Sequence, residues 1–242
     1  MKDIKIFPIF NQSAPGVWDD FLRIRTLTRQ QVYNIETSPQ DYKDTMAEFQ
    51  EYWKKPSNNF AFGAYDNDNM IGFISGTFET RYATIQHLYV LPQYQGQHIG
   101  AQLLNCAESA ISVDRNNMEL ISMTKSETFY KKYGYKSVTG TNHYNKSVKN
   151  SGHCAVAPVF RCTTKTVRKM AELSGQPAEG FDKKSIIKNY TPVFIYRNEK
   201  SEITAFGIYG DTPKIHGAND WAVSRIEKAI NRYHQEFMAR CK

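Results

Sequence analysis

The sequence predicts an α/β chain of the α+β kind: a mixed, mostly antiparallel twisted sheet with flanking helices and a parallel pair of strands at its centre. Three observations carry this. "NFAFGAYDNDNMIGFISGTFE" is two strand-like runs around the turn residues DNDN, a hairpin signal. "YATIQHLYVLPQYQGQHIGAQLL" passes from a β-branched and aromatic run through a glycine turn into helical spacing, and a further strand, "MELISMTKS", follows that helix. A strand, helix, strand unit of this sort implies parallel pairing, whereas the hairpins around it are antiparallel.

In chain order, "DIKIFPIF" is an opening strand, and "GVWDDFLRIRTLTRQQVYNIE" is an amphipathic helix with Trp18, Leu22, Ile24 and Val32 near helical spacing. "SPQDYKDTMAEFQEYWKK" begins a second helix with Ser38 as N-cap and Pro39 at the first helical position, and it carries Met46, Phe49 and Trp53 on one side. The hairpin then changes the period, and the third strand, "YATIQHLYVLP", ends at Pro92. Past the glycine turn, Ile99, Leu103, Ala107, Ala110 and Ile111 recur at helical steps, which predicts a helix packed on the sheet. After the strand "MELISMTKS" come "ETFYKKYG", a short helix closed by Gly134, and two more strands, "YKSVTGTNHY" and "HCAVAPVFRCT".

A length of 242 residues, 40% hydrophobic and 13% aromatic, suits one compact domain with an extension rather than two full domains. The apolar run in "MKDIKIFPIFNQSAPG" is too short and too charged for a signal peptide, and no later segment could span a bilayer. A cytoplasmic protein with no membrane partner is expected. Cys106, Cys154, Cys162 and Cys241 show no CxxC spacing and no paired histidines. Buried thiols are therefore expected in place of a zinc site or a disulfide framework, and no metal. The net charge of +7 is uneven: residues 115–200 carry 16 Lys+Arg against 6 Asp+Glu, while residues 1–114 carry 9 against 13. A basic middle suits a small polyanion, and without a nucleic-acid motif beside it nucleic acid is not an expected partner.

The joint "LYVLPQYQGQHIGAQLL", Leu88 to Leu104, places a helix N-terminus beside Gly96 and Gly100. Unpaired N–H groups and the positive dipole end emerge there, and the glycines let a phosphate approach the backbone. A glycine pair alone indicates no more than a tight turn. The surrounding sequence, however, resembles motif A of the GNAT superfamily of acyl-CoA N-acyltransferases, with Val90 and Pro92 at the strand exit and Gln95, Gly96, Gln97, His98, Ile99 and Gly100 on the pattern Q/R-x-x-G-x-G/A. "FYKKYGYKSV" resembles motif B of the same family, in the expected order and spacing. The resemblance covers residues 1 to about 163, so residues 1–163 are expected as a GNAT-like acetyltransferase domain and residues 164–242 as a C-terminal extension.

The resemblance implies a GNAT fold in which the central parallel strands splay apart, and an N-acetyltransferase that moves an acetyl group from acetyl-CoA directly to a primary amine. The acceptor is a small-molecule amine or a protein amine. A catalytically weak or inactive acyl-CoA-binding module of the same fold is the alternative. Gln95, Gly96, Gln97, His98, Ile99 and Gly100 are the implied pyrophosphate-loop residues, and backbone groups of Leu88 and Val90 the implied partners of the pantetheine arm. His98 stands where the family usually has a glycine, and histidine tolerates unusual backbone angles better than most residues. Lys131 and Lys132, just after motif B, are candidates for neutralising phosphate. Tyr130 is the implied acid for the departing thiolate, and a backbone N–H near Val90 the donor to the acyl carbonyl. For the base, "TIQHLYV" offers no carboxylate, only Thr84, Gln86 and His87. His87 is the candidate proton relay, set against the structural hydrogen-bonding role a lone strand histidine more often has.

Beyond residue 163, "TKTVRKMAELSG" reads as a helix closed by Gly175, "QPAEGFDKK" as a loop, "TPVFIYRNEKSEITAFGIYG" as a hairpin, and "DWAVSRIEKAINRYHQEFMARCK" as a helix with Ile226, Ile230, Tyr233 and Phe237 on one face. The expected order is a small α-β-β-α domain. In "KIHGANDW", His216 reads as a loop residue and Asp220 as an N-cap. The chain is expected as a monomer or a homodimer.

Overall fold

The computed structural model describes residues 4–10, 16–53, 58–113, 115–148, 155–177, 181, 191–200 and 202–236, the side chains of residues 52, 53, 155 and 236 excepted. The expectations placed on the side chain of Trp53, on Cys154, Phe237 and Cys241, and on most of the loop 176–184 lie outside these residues. The chain divides into two compact units, Met1–Lys149 and Asn150–Lys242.

The first unit runs β1 (Ile4–Pro8), α1 (Val17–Tyr33), α2 (Pro39–Trp53), β2 (Asn59–Asp66), β3 (Asn69–Phe78), β4 (Ala83–Val90), α3 (Ile99–Ile111), β5 (Asn117–Ile121), α4 (Glu127–Lys132), β6 (Lys136–Ser137) and β7 (His143–Ser147). Its seven strands form one sheet in the order β1-β2-β3-β4-β5-β7-β6, antiparallel except for β4 and β5. Local chemistry explains the boundaries. Gly16 and Asn34 bracket α1 in left-handed conformations, at φ 82° and 58°. Ser38 and Asp41 cap α2 reciprocally: the Ser38 hydroxyl accepts the Asp41 N–H at 3.1 Å, and an Asp41 carboxylate oxygen accepts the Ser38 N–H at 2.9 Å. Asn67, at φ 54°, turns the β2–β3 hairpin.

One face of this sheet carries α1 and α2, joined to it by an aromatic stack in which Phe21 lies flat on Phe73, with centroids 4.0 Å apart, and Phe49 meets both edge-on. Opposite, α3 packs across β1 to β4 through Leu103, Leu104, Ala107 and Ile111, all buried. A network of Glu108, Lys146 and Tyr135 then ties α3 to β7: Lys146 Nζ lies 2.7 Å from the Glu108 carboxylate and the Tyr135 hydroxyl donates to it at 3.2 Å.

The centre of the sheet has two irregularities that matter for function. In the β3–β4 ladder His87 pairs Ser75 and Ile85 pairs Gly76, which leaves Gln86 as a bulge. Gly76 is required opposite it, since a Cβ there would stand 2.1 Å from the Thr84 carbonyl oxygen and 2.3 Å from the Phe60 ring. The parallel pairing of β4 with β5 extends only over Ala83–Ile85 against Met118–Leu120, and beyond the bulge β4 continues to Val90 without a β5 partner.

The second unit contains β8 (Ala155–Pro158), α5 (Thr164–Ser174), β9 (Val193–Arg197), β10 (Ile203–Ile208), β11 (Lys214–Gly217) and α6 (Asp220–Glu236). Its antiparallel sheet has the order β11-β10-β9-β8, covered by Ile226, Ile230 and Tyr233 of α6. The expected α-β-β-α order is present as α5, β9, β10 and α6, with two strands added. One is β8, which the sequence placed with the preceding domain; it pairs with β9 instead, so the boundary between compact units lies ahead of residue 163. The other is β11, where His216 is a strand residue with its ring stacked on Phe206 at 5.2 Å, not a loop residue. Asn219, not Asp220, caps α6, its side-chain oxygen accepting the Ala222 N–H at 2.9 Å. Thr163 and Gly175 do bound α5 as an N-cap and a left-handed C-cap. Cys162 is buried and Cys106 half-buried. No described helix is long and apolar enough to cross a membrane, and among the described residues no cluster of three His, Cys, Asp or Glu is placed to hold a metal ion.

Candidate active site

A cleft of about 390 Å³ opens where β4 and β5 part. The N-terminus of α3 forms one wall. Gln102 is the first residue of this helix to bond back to a preceding carbonyl, that of His98, at 3.0 Å. The N–H groups of Ile99, Gly100 and Ala101 therefore precede the helical ladder, and all three residues line the cleft. The turn into the helix uses two left-handed residues, Gly96 at φ 75° and His98 at φ 61°. A left-handed residue at the helix entry accounts for the glycine that the family pattern has where His98 stands, and His98 adopts that conformation with its side chain exposed.

The strand edge forms the next wall. Leu91 N–H bonds to the Ile71 carbonyl at 2.9 Å, so odd-numbered residues of this stretch turn their backbone groups toward β3. The even-numbered Leu88 and Val90 consequently turn theirs toward the side that β5 has vacated, and both line the cleft. The expectation of open backbone groups at both residues needs one correction. The Val90 carbonyl already accepts the Gln95 side-chain amide at 2.9 Å and the Thr28 hydroxyl at 3.2 Å. Val90 thus offers its N–H alone, and Gln95 spends its side chain on bracing the strand exit. Gln97 is the one expected loop residue that does not line the cleft; its side chain bonds the Gln93 carbonyl at 3.2 Å.

Tyr130 lines the cleft from α4, 8% exposed, between the rings of Phe129 and Tyr135. Burial, followed by the neighbouring Tyr33 and Tyr89 hydroxyls, pushes its pKa well above that of an ordinary phenol, so it holds its proton throughout the neutral range. The two lysines that follow Tyr130 separate. Lys131 is engaged with Glu127 at 3.1 Å, and Lys132 lines the cleft.

His87 lies on the other face of β4. Its ring is enclosed by Phe49 at 5.1 Å, Phe73 at 6.2 Å and Tyr89 at 6.2 Å, and it is not among the residues lining the cleft. Burial first and the nearby Arg25 charge second lower its pKa to about 4, so the imidazole is neutral at pH 7.

Sequence reasoning missed the residues that close the cleft from α1. Tyr33 is hydrogen-bonded through its hydroxyl to that of Ser126, and Lys125 Nζ donates to the Val32 carbonyl at 2.8 Å. Together these bonds fasten the end of α1 to the turn ahead of α4, across 93 positions of sequence. Lys125 was visible only as part of the basic run, and nothing local singled out Tyr33.

A family model described as an acetyltransferase (GNAT) domain matches residues 24–150, more than half of the chain. No curated protein matches it in sequence. Among solved structures, the PaiA N-acetyltransferase of Thermoplasma acidophilum in complex with coenzyme A is 19% identical with a TM-score of 0.49, over 60% of this chain and 99% of its own. An acetyltransferase of the GNAT family from Staphylococcus aureus Mu50 is 17% identical at a TM-score of 0.48, with the same coverage. A GNAT family acetyltransferase of Brucella melitensis in complex with acetyl-CoA is 14% identical at 0.46, over 61% and 89%. The family assignment rests on the sequence match, which ends within one residue of the end of the first compact unit.

Proposed function

Because the chain belongs to the acetyltransferase (GNAT) domain family, we propose that its first unit is an N-acetyltransferase that moves an acetyl group from acetyl-CoA directly to a primary amine. The observation that carries this reading is the cleft itself, where three amides ahead of a helical ladder, an open strand edge and a protonated tyrosine line one continuous wall. The N–H groups of Ile99, Gly100 and Ala101 with the Gly96–His98 turn hold the pyrophosphate at the positive end of α3. The backbone groups of Leu88 pair with the pantetheine arm as a strand would. The Val90 N–H polarises the thioester carbonyl, the acceptor nitrogen attacks it, and the C–S bond breaks as the tetrahedral adduct collapses. Tyr130 gives its proton to the departing thiolate. Lys125 and Lys132 add positive charge at the cleft, which explains why part of the basic run lies there.

A second reading, an acyl-CoA-binding module without turnover, is favoured by one observation: β4 carries no carboxylate and His87 lies outside the cleft. Thiol release from acetyl-CoA across a panel of amines, with calorimetry of acetyl-CoA binding alongside, separates the two. Turnover that falls roughly 10²-fold in Tyr130→Phe, with unchanged acetyl-CoA affinity, supports the enzyme. Binding without thiol release for any amine supports the module, and no binding removes both.

A further inference from the structure

Helix α1 carries two arginines with buried donor atoms that no group of the fold accepts from. Resting on the acyltransferase reading, we propose that Arg25 and Arg29 of α1 form an anion-binding subsite for a carboxylate of the acceptor, so that the acceptor is an amino acid or a related amino-carboxylate.

The two residues are one turn apart and so share a face of α1. Both are half-buried. Arg25 Nε and Nη1 and Arg29 Nε are buried with no hydrogen-bond partner, and among the described residues no carboxylate lies within ion-pair distance of either guanidinium. Asp41 and Glu48 of α2 act on Arg25 only at longer range, and Asp41 is already occupied by the backbone and hydroxyl of Ser38 at 2.9 and 2.7 Å. Buried charged donors without partners are costly and rare, and a chain that keeps two of them side by side has a use for them outside its own packing.

Their place in the fold says what that use is. Arg25 acts electrostatically on Tyr89 and His87, the two β4 residues that point away from α3. Tyr89, with Tyr33, is in turn the electrostatic neighbour of Tyr130, the candidate acid. The arginine pair thus stands one tyrosine away from the reacting end of the cleft, on the side that α3 and its phosphate-binding amides do not occupy. A guanidinium fork matches a carboxylate with two parallel hydrogen bonds, and two forks at this place select an acceptor bearing one. The same charges disfavour a polyamine or a lysine-rich peptide, whose remaining ammonium groups would face them.

The test uses the full chain and acetyl-CoA, with amino acids each paired against its decarboxylated amine: tyrosine and tyramine, histidine and histamine, lysine and cadaverine. The expected result is a kcat/KM at least roughly tenfold higher for the acid in its best pair. Arg25→Met and Arg29→Gln should each erase that preference, and Arg29→Lys should reduce it, while acetyl-CoA affinity stays unchanged. Since Arg25 Nε and Nη1 are unmatched in the fold, Arg25→Met should also keep the wild-type melting temperature within a few degrees. Turnover of amines with no preference for the acids overturns the subsite and leaves the acyltransferase reading standing. So does a preference that survives both variants, or a collapse of stability in Arg25→Met, which would make the arginine a structural element. A failure to bind acetyl-CoA removes the acyltransferase reading and the subsite with it.

Discussion

His87 gives the most quantitative test of the site's electrostatics. Its folded pKa is about 4 against an ordinary value of 6.5, lowered by burial and then by Arg25. Because the folded value is depressed, the unfolded chain takes up a proton first as pH falls, and the folded state resists until about pH 4. The stability associated with a neutral His87 is therefore complete above pH 6.5 and is lost progressively between pH 6.5 and 4. A shift of this size corresponds to about 3 kcal/mol in full, most of it already lost at pH 4.5. His87→Gln removes the titration while every other group titrates as before. Urea unfolding of both proteins at pH 7.0 and 4.5 isolates the difference: the wild type should lose roughly 2 to 3 kcal/mol more than the variant between the two. Equal losses would mean that the imidazole is solvated and that its enclosure by Phe49, Phe73 and Tyr89 is wrong. A proton relay through His87 would put an acid limb near pH 4, and its position outside the cleft predicts that no such limb is lost in His87→Gln.

Further outcomes follow from the geometry. Gly100→Glu should fold, since a Cβ at Gly100 meets the Phe129 ring at an ordinary 3.5 Å, and should lose acetyl-CoA binding by calorimetry because its carboxylate enters the phosphate-facing wall. Glu108→Ala should cost about 2 kcal/mol in denaturant unfolding, as it strands Lys146 and the Tyr135 hydroxyl in a largely buried site; a change below about 0.5 kcal/mol would show the network to be solvated. A chain truncated after Lys149, where the compact unit ends and within one residue of the end of the family match, should keep acetyl-CoA affinity; its loss would show that the first unit does not hold the donor by itself.

What the sequence disclosed was local, and what it hid was long-range. The Gln95–Gly100 joint was legible because a strand exit, two glycines and a helix start are consecutive, and the cleft forms around them. The hairpin at Asn67 and the caps at Ser38 and Gly175 were legible for the same reason. Residues 155–158 read correctly as a strand, but the pattern of one strand cannot name its partner, which lies nearly forty residues on at Val193–Arg197. At four residues, "KIHG" is too short for alternation to emerge. The bulge at Gln86 leaves no mark in β4 itself; its signature is Gly76 on the neighbouring strand. Arg25 and Arg29 lie on a face of α1 whose direction the sequence left open. Only the fold shows that this face turns inward.

The absence of a carboxylate on β4 raises the question of how the acceptor amine becomes neutral, and the arginine pair supplies an answer. A base must take the proton, or the amine must be made to give it up more readily. Tyr130 cannot accept, because burial keeps its proton in place. His87, with a pKa of about 4, is a weak acceptor facing away from the cleft. Two guanidinium groups against one acceptor carboxylate leave an excess positive charge at the site, and a nearby like charge lowers the pKa of an amine. On the proposed assignment, Arg25 and Arg29 orient the acceptor and at the same time favour its reactive, uncharged form, so the proton can leave to solvent without a dedicated base. The limb of the pH–rate profile then belongs to the acceptor, moves with the amine chosen, and shifts to higher pH when Arg29 is replaced by Gln.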